Sequence, residues 1–347
     1  SVAIENGVAN LGTSAFGGTG LTSIAVPGSV SSLVSAFVYC YSLTNATIED
    51  GLTGIGDYAF YFCTNLASVT IPASVTNIGT DAFSGTRLVN VAVPGSTSTI
   101  GDSAFEGLLS LTNATLANGL VSIGNSAFEG CNLTNVTIPA SVTNIGTNAF
   151  SGNPLTSVAF PGGVATINDY AFAYCNNLTN VTLANGVSAF GSGAFENTGL
   201  ASVTIPASVS AINYWAFYNC TSMTSFYFEG DALSVDWSTF GNENNPIFYY
   251  LPGANGWSDF AANTGFAAVL WNPLVQTSDG SFGVRINLFG FNITGTNNFT
   301  VVVAACANLA SPVWVPLTTN TLIAGSFYFS DPQWTNYPNR YYILQMP

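Results

Sequence analysis

One short motif recurs along most of this chain and constrains its fold more than any other feature. The phenylalanine of an Ala-Phe pair, or of a Thr-Phe pair in the last copy, returns every 21 to 23 residues. A unit of that length is too short to enclose a core alone, so successive units have to stack and share one. The eleven copies carry Phe16, Phe37, Phe60, Phe83, Phe105, Phe128, Phe150, Phe172, Phe195, Phe217 and Phe240.

Each unit also contains two short stretches of alternating apolar residues. In one copy these are Val69 with Ile71 and, after Pro72, Val75 with Ile78. Alternation with a period of two predicts short strands, and the proline separates them. Strands of stacked units lie roughly 4.8 Å apart, so eleven coils predict a rod on the order of 50 Å long. The repeat phenylalanines are then expected to form one buried column.

A longer period of 67 residues overlies the short one. The sequence Ile-Pro-Ala-Ser-Val begins at Ile71, Ile138 and Ile205. This spacing indicates that three coils were duplicated as a block, which requires every block to offer the same two stacking surfaces.

The consensus Leu-Thr-x-Val-x-Ile-Pro-x-x-Val-x-x-Ile-Gly-x-x-Ala-Phe-x-x-Cys resembles the BspA-like, or Treponema-type, leucine-rich repeat, and the resemblance covers residues 1 to about 245. It implies a solenoid with one strand on the concave face of each coil and a second short strand opposite. Members of that family are mostly surface or secreted proteins, implicated in adhesion to host proteins or to other cells.

The repeat ends after Phe240, and the rest of the chain has a different pattern. A Tyr- and Trp-rich segment is expected to close the solenoid, which gives a first domain over 1–273 and a linker over 274–280. Separated strand patterns over 281–347 predict a small antiparallel β-sandwich. This part resembles a C-terminal β-module of bacterial repeat proteins. The predicted fold is thus mostly β: a leucine-rich-repeat solenoid of about eleven 22–23-residue coils, followed by that sandwich.

Composition excludes several functions. The chain has 17 acidic and 3 basic residues, and it lacks histidine and lysine. Without a basic stripe it cannot neutralise phosphates, so nucleic acid is not an expected partner. Histidine catalysis and lysine Schiff bases are excluded with their residue types. No apolar stretch is long enough to insert into a membrane. The nearly neutral, hydroxyl- and amide-rich surface favours an extracellular or cell-surface location.

Carboxylates are the candidate catalytic groups that remain, and most of them are expected in turns. Asp50 stands in a turn whose duplicated copies carry Asn118 and Asn185, so that position does not need its charge. We therefore predict no enzyme activity, no cofactor and no metal site. A calcium site near Asp231, Asp236 and Glu243 stays open as the weaker alternative.

Five cysteines follow a repeat phenylalanine by three residues. This placement predicts inward-facing positions where the thiol acts as a small apolar group. Cys40 and Cys63 are the pair in adjacent coils, so a disulfide between them is the alternative. Nine Asn-x-Thr sequons predict polar turns, or glycosylation sites if the source modifies them, among them Asn45, Asn113, Asn180, Asn292 and Asn298.

The first residues of the sequence are already in register with the repeat. An uncapped coil exposes apolar side chains and unpaired strand groups, which is a template for association. We therefore predict head-to-tail self-assembly of a non-enzymatic extracellular structural protein into a filament or surface layer. The alternative is a monomeric bacterial adhesin that binds a host protein or glycan through its repeat face. The residues expected to make the self-assembly contact are Val2, Ile4, Leu11, Phe16, Trp314 and Tyr341.

Overall fold

The computed structural model of the protein describes residues 2–235, 237–241, 245–285, 288–296 and 298–347. The repeat region forms a β-solenoid of about twelve turns, which confirms the predicted fold class. The count exceeds the eleven phenylalanine copies because one further coil follows Phe240 and is closed by a helix instead of an Ala-Phe turn.

The first strand of each coil contributes to a broad face of parallel strands. Partners in neighbouring coils are paired in register, for example Ile24 with Ala46 and Val203 with Phe226. Side chains alternate between the core and the outer surface, as the period-two pattern predicts. The strands are Val2–Ala3, Ser23–Val26, Asn45–Ile48, Ser68–Thr70, Asn90–Val93, Asn113–Leu116, Ser157–Phe160, Asn180–Leu183, Ser202–Ile205, Ser225–Phe228, Ile247–Tyr250 and Ala268–Leu270.

A second set of strands forms a narrow face on the other side of the core. Each has two residues, and they too pair in parallel from coil to coil. They are Gly54–Ile55, Asn77–Ile78, Thr99–Ile100, Ser122–Ile123, Asn144–Ile145, Thr166–Ile167, Ala189–Phe190 and Ala211–Ile212.

The predicted phenylalanine column is present between the two faces. Consecutive rings from Phe16 to Phe217 lie 5.1–5.9 Å apart, and their planes differ by no more than 20°. From Phe37 onward these rings are fully buried. Ring stacking at the coil spacing therefore adds aromatic contact to apolar burial along the whole rod.

The glycine of the recurring Ile-Gly pair permits this close stacking. A Cβ built on Gly124 would lie 2.6 Å from the backbone nitrogen of Asp102 in the preceding coil, and Gly101 would meet Gly79 at the same distance. At both glycines a larger residue would require the neighbouring backbone to shift, whereas two later coils accommodate Asn168 and Asn213 at the equivalent position.

Two short helices, Trp237–Phe240 and Trp257–Thr264, belong to the last coils. The indole of Trp257 stacks on Tyr250 with ring centroids 5.0 Å apart and packs against Phe228 and Phe260. These aromatic contacts cover the final apolar surface of the solenoid, as the Tyr- and Trp-rich sequence predicts.

The C-terminal module consists of antiparallel strands in two sheets. Leu274–Gln276, within the predicted linker 274–280, pairs with Leu288–Thr294, so the module's sheet begins earlier than expected. The reason is that Val275 packs into the module's core, which a flexible linker residue would not do. The remaining strands are Gly283–Arg285, Thr300–Cys306, Val315–Thr321, Ser326–Asp331 and Tyr341–Gln345, with a 3₁₀ turn at Trp334–Asn336.

The module packs on the outer side of the broad face. Tyr227 and Tyr249, on adjacent strands, stack with ring centroids 5.1 Å apart, and Tyr249 meets Phe299 of the module edge-on. The Trp271 indole N–H donates to the Thr300 carbonyl at 3.2 Å. Solenoid and module therefore share one apolar cluster.

Candidate binding surface

The Ala-Phe turns align along one edge of the rod, which we call the turn edge. It comprises the residues from three before to four after each repeat phenylalanine. The second residue before the phenylalanine has a φ of 52° to 61° in nine coils, and the second residue after it is also left-handed in most coils. Such a backbone favours glycine and tolerates asparagine, whereas a bulky side chain is strained there.

Several coils nevertheless place large aromatic residues at these left-handed positions. Tyr58, Tyr170 and Trp215 occupy the position before the phenylalanine, where other coils carry serine, aspartate or asparagine. Tyr39, Phe62 and Tyr174 occupy the second position after it, where other coils carry glycine or asparagine. Four coils thus carry aromatic side chains at strained backbone positions.

The first aromatic cluster lies on the second and third coils and consists of Tyr39, Tyr41, Tyr58, Tyr61 and Phe62. Tyr61 is its centre, with ring centroids 4.7 Å from Phe62, 5.5 Å from Tyr58 and 5.7 Å from Tyr39. Four of the five side chains are exposed, Tyr41 by 54%. The rings hold one another in place while their outer faces remain in contact with solvent.

The second aromatic cluster lies five coils further along the same edge. Its members lie on the turn edge of the later coils, and Trp215 and Tyr218 have ring centroids 6.3 Å apart. Tyr214 is 63% exposed and Trp237 is 62% exposed. The cluster consists of Tyr170, Tyr174, Tyr214, Trp215, Tyr218 and Trp237.

Several of these rings pack against glycines of the following coil. A Cβ on Gly85 would lie 3.0 Å from the Phe62 ring, and one on Gly193 would lie 2.3 Å from the Tyr170 ring. Tyr218 lies in the same way against Gly241. The aromatic faces are therefore preorganised by contact with the backbone of the next coil, which lowers the entropy cost of binding.

Carboxylates accompany the rings on the turn edge, and some of them cap the coils. The Oδ1 atoms of Asp57, Asp102 and Asp169 accept the backbone N–H groups of Thr80, Asn125 and Ser192 at 2.7–2.8 Å. Asn125 does the same for the next coil. These side-chain oxygens thus accept hydrogen bonds that hold neighbouring coils together.

A second group of acids lies between the two clusters and is not used in this way. Burial raises the pKa of the Asp81 carboxyl, and the nearby Glu106 raises that pKa further. Burial and the charge of Asp81 also raise the pKa of Tyr61. The central turn edge therefore brings acids together next to the first aromatic cluster, and among the described residues the exposed Arg87 is the one base on the same edge.

The cysteines form a ladder beneath the same turns. Each Sγ donates to the carbonyl of the repeat phenylalanine in the preceding coil: Cys63 to Phe37 at 3.0 Å and Cys131 to Phe105 at 3.0 Å. Asn153 stands at the equivalent position and donates to Phe128. The cysteines therefore do more than fill space, because they satisfy buried carbonyl groups.

The structure holds all six cysteines as buried thiols, without a bridge between Cys40 and Cys63. The interaction between these two neighbouring thiols lowers the pKa of Cys40 and raises that of Cys63. Burial is the main cause that raises the pKa of Cys131 and of Cys175 to about 12, and it also raises the pKa of Cys220. Four of the five ladder thiols are thus held protonated, which keeps them unreactive.

The residues predicted for self-assembly lie at opposite ends of the molecule. Val2 is exposed, whereas Ile4, Leu11 and Phe16 are partly buried against the first coils. At the other end Trp314 and Tyr341 line one cavity of about 410 Å³ in the C-terminal module.

Three of the named sequons, Asn45, Asn113 and Asn180, are exposed at the first residue of a broad-face strand. Asn298 is exposed as well, while the half-buried Asn292 donates to Asp279 at 2.7 Å.

In the proposed calcium alternative, Asp231 accepts the backbone N–H of Asn255 at 2.7 Å, whereas Asp236 and Glu243 lie outside the described residues. Among the residues that the structure describes, no three His, Cys, Asp or Glu side chains are grouped so as to hold a metal ion. Within the same ranges no helix has the length and apolarity needed to cross a bilayer.

The sequence predictions did not single out the aromatic clusters. Part of their signal is nevertheless present when the coils are aligned, because tyrosine, tryptophan or phenylalanine replaces glycine, serine or asparagine at two fixed positions, which hold six of the eleven cluster residues. Only the structure shows that these positions share one exposed edge.

A family model described as the BspA type leucine rich repeat region (6 copies) matches residues 1–111, 34–154, 98–224 and 143–247. The chain belongs to the BspA-type leucine-rich repeat family. The match includes every coil that carries a repeat phenylalanine, so the turn edge is part of the BspA-type repeat itself. A search of curated proteins returned no match.

Solved structures of bacterial leucine-rich repeat proteins are similar to this BspA-type chain. A leucine-rich repeat protein from Bacteroides ovatus is 26% identical with a TM-score of 0.54, over 76% of this chain and 64% of that one. A leucine rich cell surface protein from Faecalibacterium prausnitzii is 25% identical with a TM-score of 0.39, over 65% and 84%. The pneumococcal vaccine antigen PcpA is 17% identical with a TM-score of 0.35, over 76% and 85%. The similarity to the Bacteroides structure supports the solenoid fold. The chain spans less than two thirds of the length of that structure.

Proposed function

We propose that this chain is a non-enzymatic bacterial surface protein that adheres to other molecules through its turn edge. The observation that carries the proposal is the pair of exposed aromatic clusters at strained turn positions where sister coils carry small residues. Exposed aromatic groups that are fixed in place supply large contact area at low entropy cost, and they are typical of binding surfaces.

Two further observations support a binding role over a catalytic one. The carboxylates Asp57, Asp102 and Asp169 accept backbone amides, and the ladder thiols donate to buried carbonyls. These groups are used to hold coils together. A location outside the cell is supported by the low-charge, hydroxyl- and amide-rich composition and by what membership of the BspA-type family implies.

The test is saturable binding of coated fluorescent beads to cultured host cells and to extracellular matrix proteins. A turn-edge variant, Tyr39→Gly with Phe62→Gly and Trp215→Ser, introduces residues that sister coils already carry, so the fold is retained. A matched control, Val89→Thr with Val121→Thr, removes two exposed apolar side chains elsewhere. We expect the first variant to lose at least tenfold in binding and the control to lose less than twofold. Equal binding by all three proteins would contradict the proposal.

Head-to-tail assembly into a filament or surface layer is the second candidate function. Its support is that the predicted contact residues lie at opposite ends of the rod, with Phe16 in the first coil and Trp314 and Tyr341 along one cavity of the module. A heterologous contact of this kind grows into an open filament if it does not close. Mass photometry and negative-stain microscopy over a concentration series test it. Tyr341→Ser should abolish filaments, and a monomer at every concentration would exclude assembly.

A further inference from the structure

The turn edge combines two features that recognise positive charge. The first aromatic cluster presents the exposed side chains of Tyr39 and Phe62, and the acids Asp81 and Glu106 lie on the next two coils of the same edge. Within the described ranges, none of the turn-edge carboxylates lies within 4 Å of a basic group, since the one ion pair found there joins Arg340 to Asp331 in the module. Within the described residues the turn edge carries seven acids and one base, the exposed Arg87, so the edge has a net negative charge that this chain does not neutralise.

Physical chemistry favours a cationic occupant for such a surface. A guanidinium or ammonium group over an exposed aromatic face is attracted by the negative face of the ring, and nearby carboxylates add to the attraction. The formal net charge of −14 draws positively charged partners to the rod and repels anionic ones. A neutral sugar would use the rings alone and would leave the charge uncompensated.

The chain itself contains a small example of this recognition. The Arg340 guanidinium carbon lies 4.1 Å from the centre of the Tyr337 ring, and Arg340 Nε donates to Asp331 at 2.5 Å. Tyr342 donates its hydroxyl to the same carboxylate at 2.9 Å. One ring, one carboxylate and one tyrosine thus hold an arginine inside the module, and the turn edge offers the same types of group to the outside.

We propose that the turn edge binds an arginine- and lysine-rich segment of a partner protein, with cationic side chains over Tyr39 and Phe62 and paired with Asp81 and Glu106. This inference rests on the proposed adhesive function and names the chemistry of the partner. The segment runs along the rod, because the acids lie between the two aromatic clusters.

The spacing of the clusters sets the length of that segment. Five coil steps of 5.1–5.4 Å separate Phe60 from Phe172, roughly 26 Å in all. An extended peptide rises about 3.3 Å per residue, so about eight residues reach from one cluster to the other. A shorter cationic peptide engages one cluster at a time and loses the gain of simultaneous contact.

The probes are fluorescently labelled octa-arginine and tetra-arginine, with octa-glutamine and a neutral glucose hexasaccharide as comparisons, measured by anisotropy across a salt series. We expect saturable 1:1 binding of octa-arginine, at least tenfold tighter than tetra-arginine and weakened by salt. Octa-glutamine should not bind measurably, because it lacks the charge.

Two charge variants test whether octa-arginine binds the turn edge itself or is attracted to the acidic protein in general. Asp81→Asn with Glu106→Gln and Glu5→Gln with Glu49→Gln change the net charge equally, but only the first pair lies on the turn edge. We expect at least a tenfold loss for the first pair and less than twofold for the second. Tyr39→Gly with Phe62→Gly, which leaves the charge unchanged, should lose at least fivefold, and circular dichroism melting checks that it folds.

Equal losses for the two charge variants, with no effect of the aromatic variant, would overturn the inference in favour of unspecific attraction. Hexasaccharide binding that is lost in the aromatic variant, without octa-arginine binding, would assign the edge to a neutral glycan and overturn it as well. If beads adhere through the edge while octa-arginine does not bind, the adhesive function stands and the cationic partner is wrong. If octa-arginine binds the edge and beads do not adhere, the cationic surface stands and the adhesive function is wrong.

Discussion

The ring of Tyr249 stands edge-on to the ring of Phe299, with centroids 5.0 Å apart and planes at 86°, and so joins the last coils to the C-terminal module. Tyr249 belongs to an outward-facing row of the broad face. In earlier coils this row carries exposed alanine or threonine, such as Ala159 and Thr182. The row changes to tyrosine only where the module covers it.

This relationship predicts that Tyr249→Thr releases the module. The substitution restores the residue found in uncovered coils and removes an aromatic side chain from a shared core, at a cost of about 2–4 kcal/mol in unfolding free energy. We expect faster proteolysis around residues 276–283 and a separate melting transition for the module. Thr182→Ala, on the same row but uncovered, should change stability by less than about 0.5 kcal/mol. A single unchanged transition in Tyr249→Thr would contradict the shared core.

Close coil stacking makes a second prediction at Gly124. A methyl group there meets backbone atoms of the preceding coil at 2.6 Å, and backbone has little room to move. Gly124→Ala should therefore lower the free energy of unfolding by about 2 kcal/mol or more in urea denaturation. Gly20, around which no atom lies within 4 Å of the added Cβ, is the matched control. Gly20→Ala should leave the midpoint nearly unchanged, and similar losses at both sites would disprove the stacking argument.

The capping role of the turn-edge acids predicts a difference between two substitutions of Asp102. Its Oδ1 accepts the backbone N–H of Asn125 at 2.7 Å, and Asn125 itself accepts from Thr147 at 2.9 Å. Because an amide oxygen serves equally well in the next coil, Asp102→Asn should be close to neutral. Asp102→Ala leaves the amide of Asn125 without its acceptor and should cost about 1 kcal/mol. If both variants lost the same stability, charge rather than hydrogen bonding would be the cause.

The cysteine ladder predicts a stability loss in alkaline solution. The pKa of Cys131 and of Cys175 is raised from about 9 to about 12 in the folded chain. As the pH rises, the unfolded chain therefore releases these protons before the folded chain does. The stability that the two buried thiols contribute is complete below pH 9 and is lost as the pH rises from 9 towards 12. Each thiol changes the unfolding free energy by on the order of 1 kcal/mol per pH unit in that window.

Denaturation midpoints between pH 8 and 11 measure this effect against Cys131→Thr with Cys175→Thr, which uses the residue of equivalent positions such as Thr198. The variant should show a shallower decline than the unmodified protein. If the denaturation midpoints of the two proteins fell equally with pH, these thiols would not be the cause of the stability loss in alkaline solution.

The repeat made most of the solenoid predictable. A phenylalanine every 21 to 23 residues, with period-two strands around it, predicted eleven of the roughly twelve coils, their spacing and the aromatic column. These features depend on contacts between equivalent positions of neighbouring coils, so a one-dimensional period is enough to describe them. The closing coil and the module's first strand, Leu274–Gln276, were harder to predict from the sequence, because each occurs only once and has no repeat to reveal it.

The sequence by itself determined that this chain stacks identical coils around buried phenylalanines, that it is acidic, and that histidine and lysine chemistry is absent. Tertiary structure alone decided that Tyr39 and Phe62 share an exposed edge with Asp81, that the ladder thiols donate to the carbonyls of the preceding coil, and that Tyr249 is covered by the module. The physical reason is that a period specifies which residues are equivalent, whereas the outward direction of each side chain depends on the left-handed turns and on what packs against them.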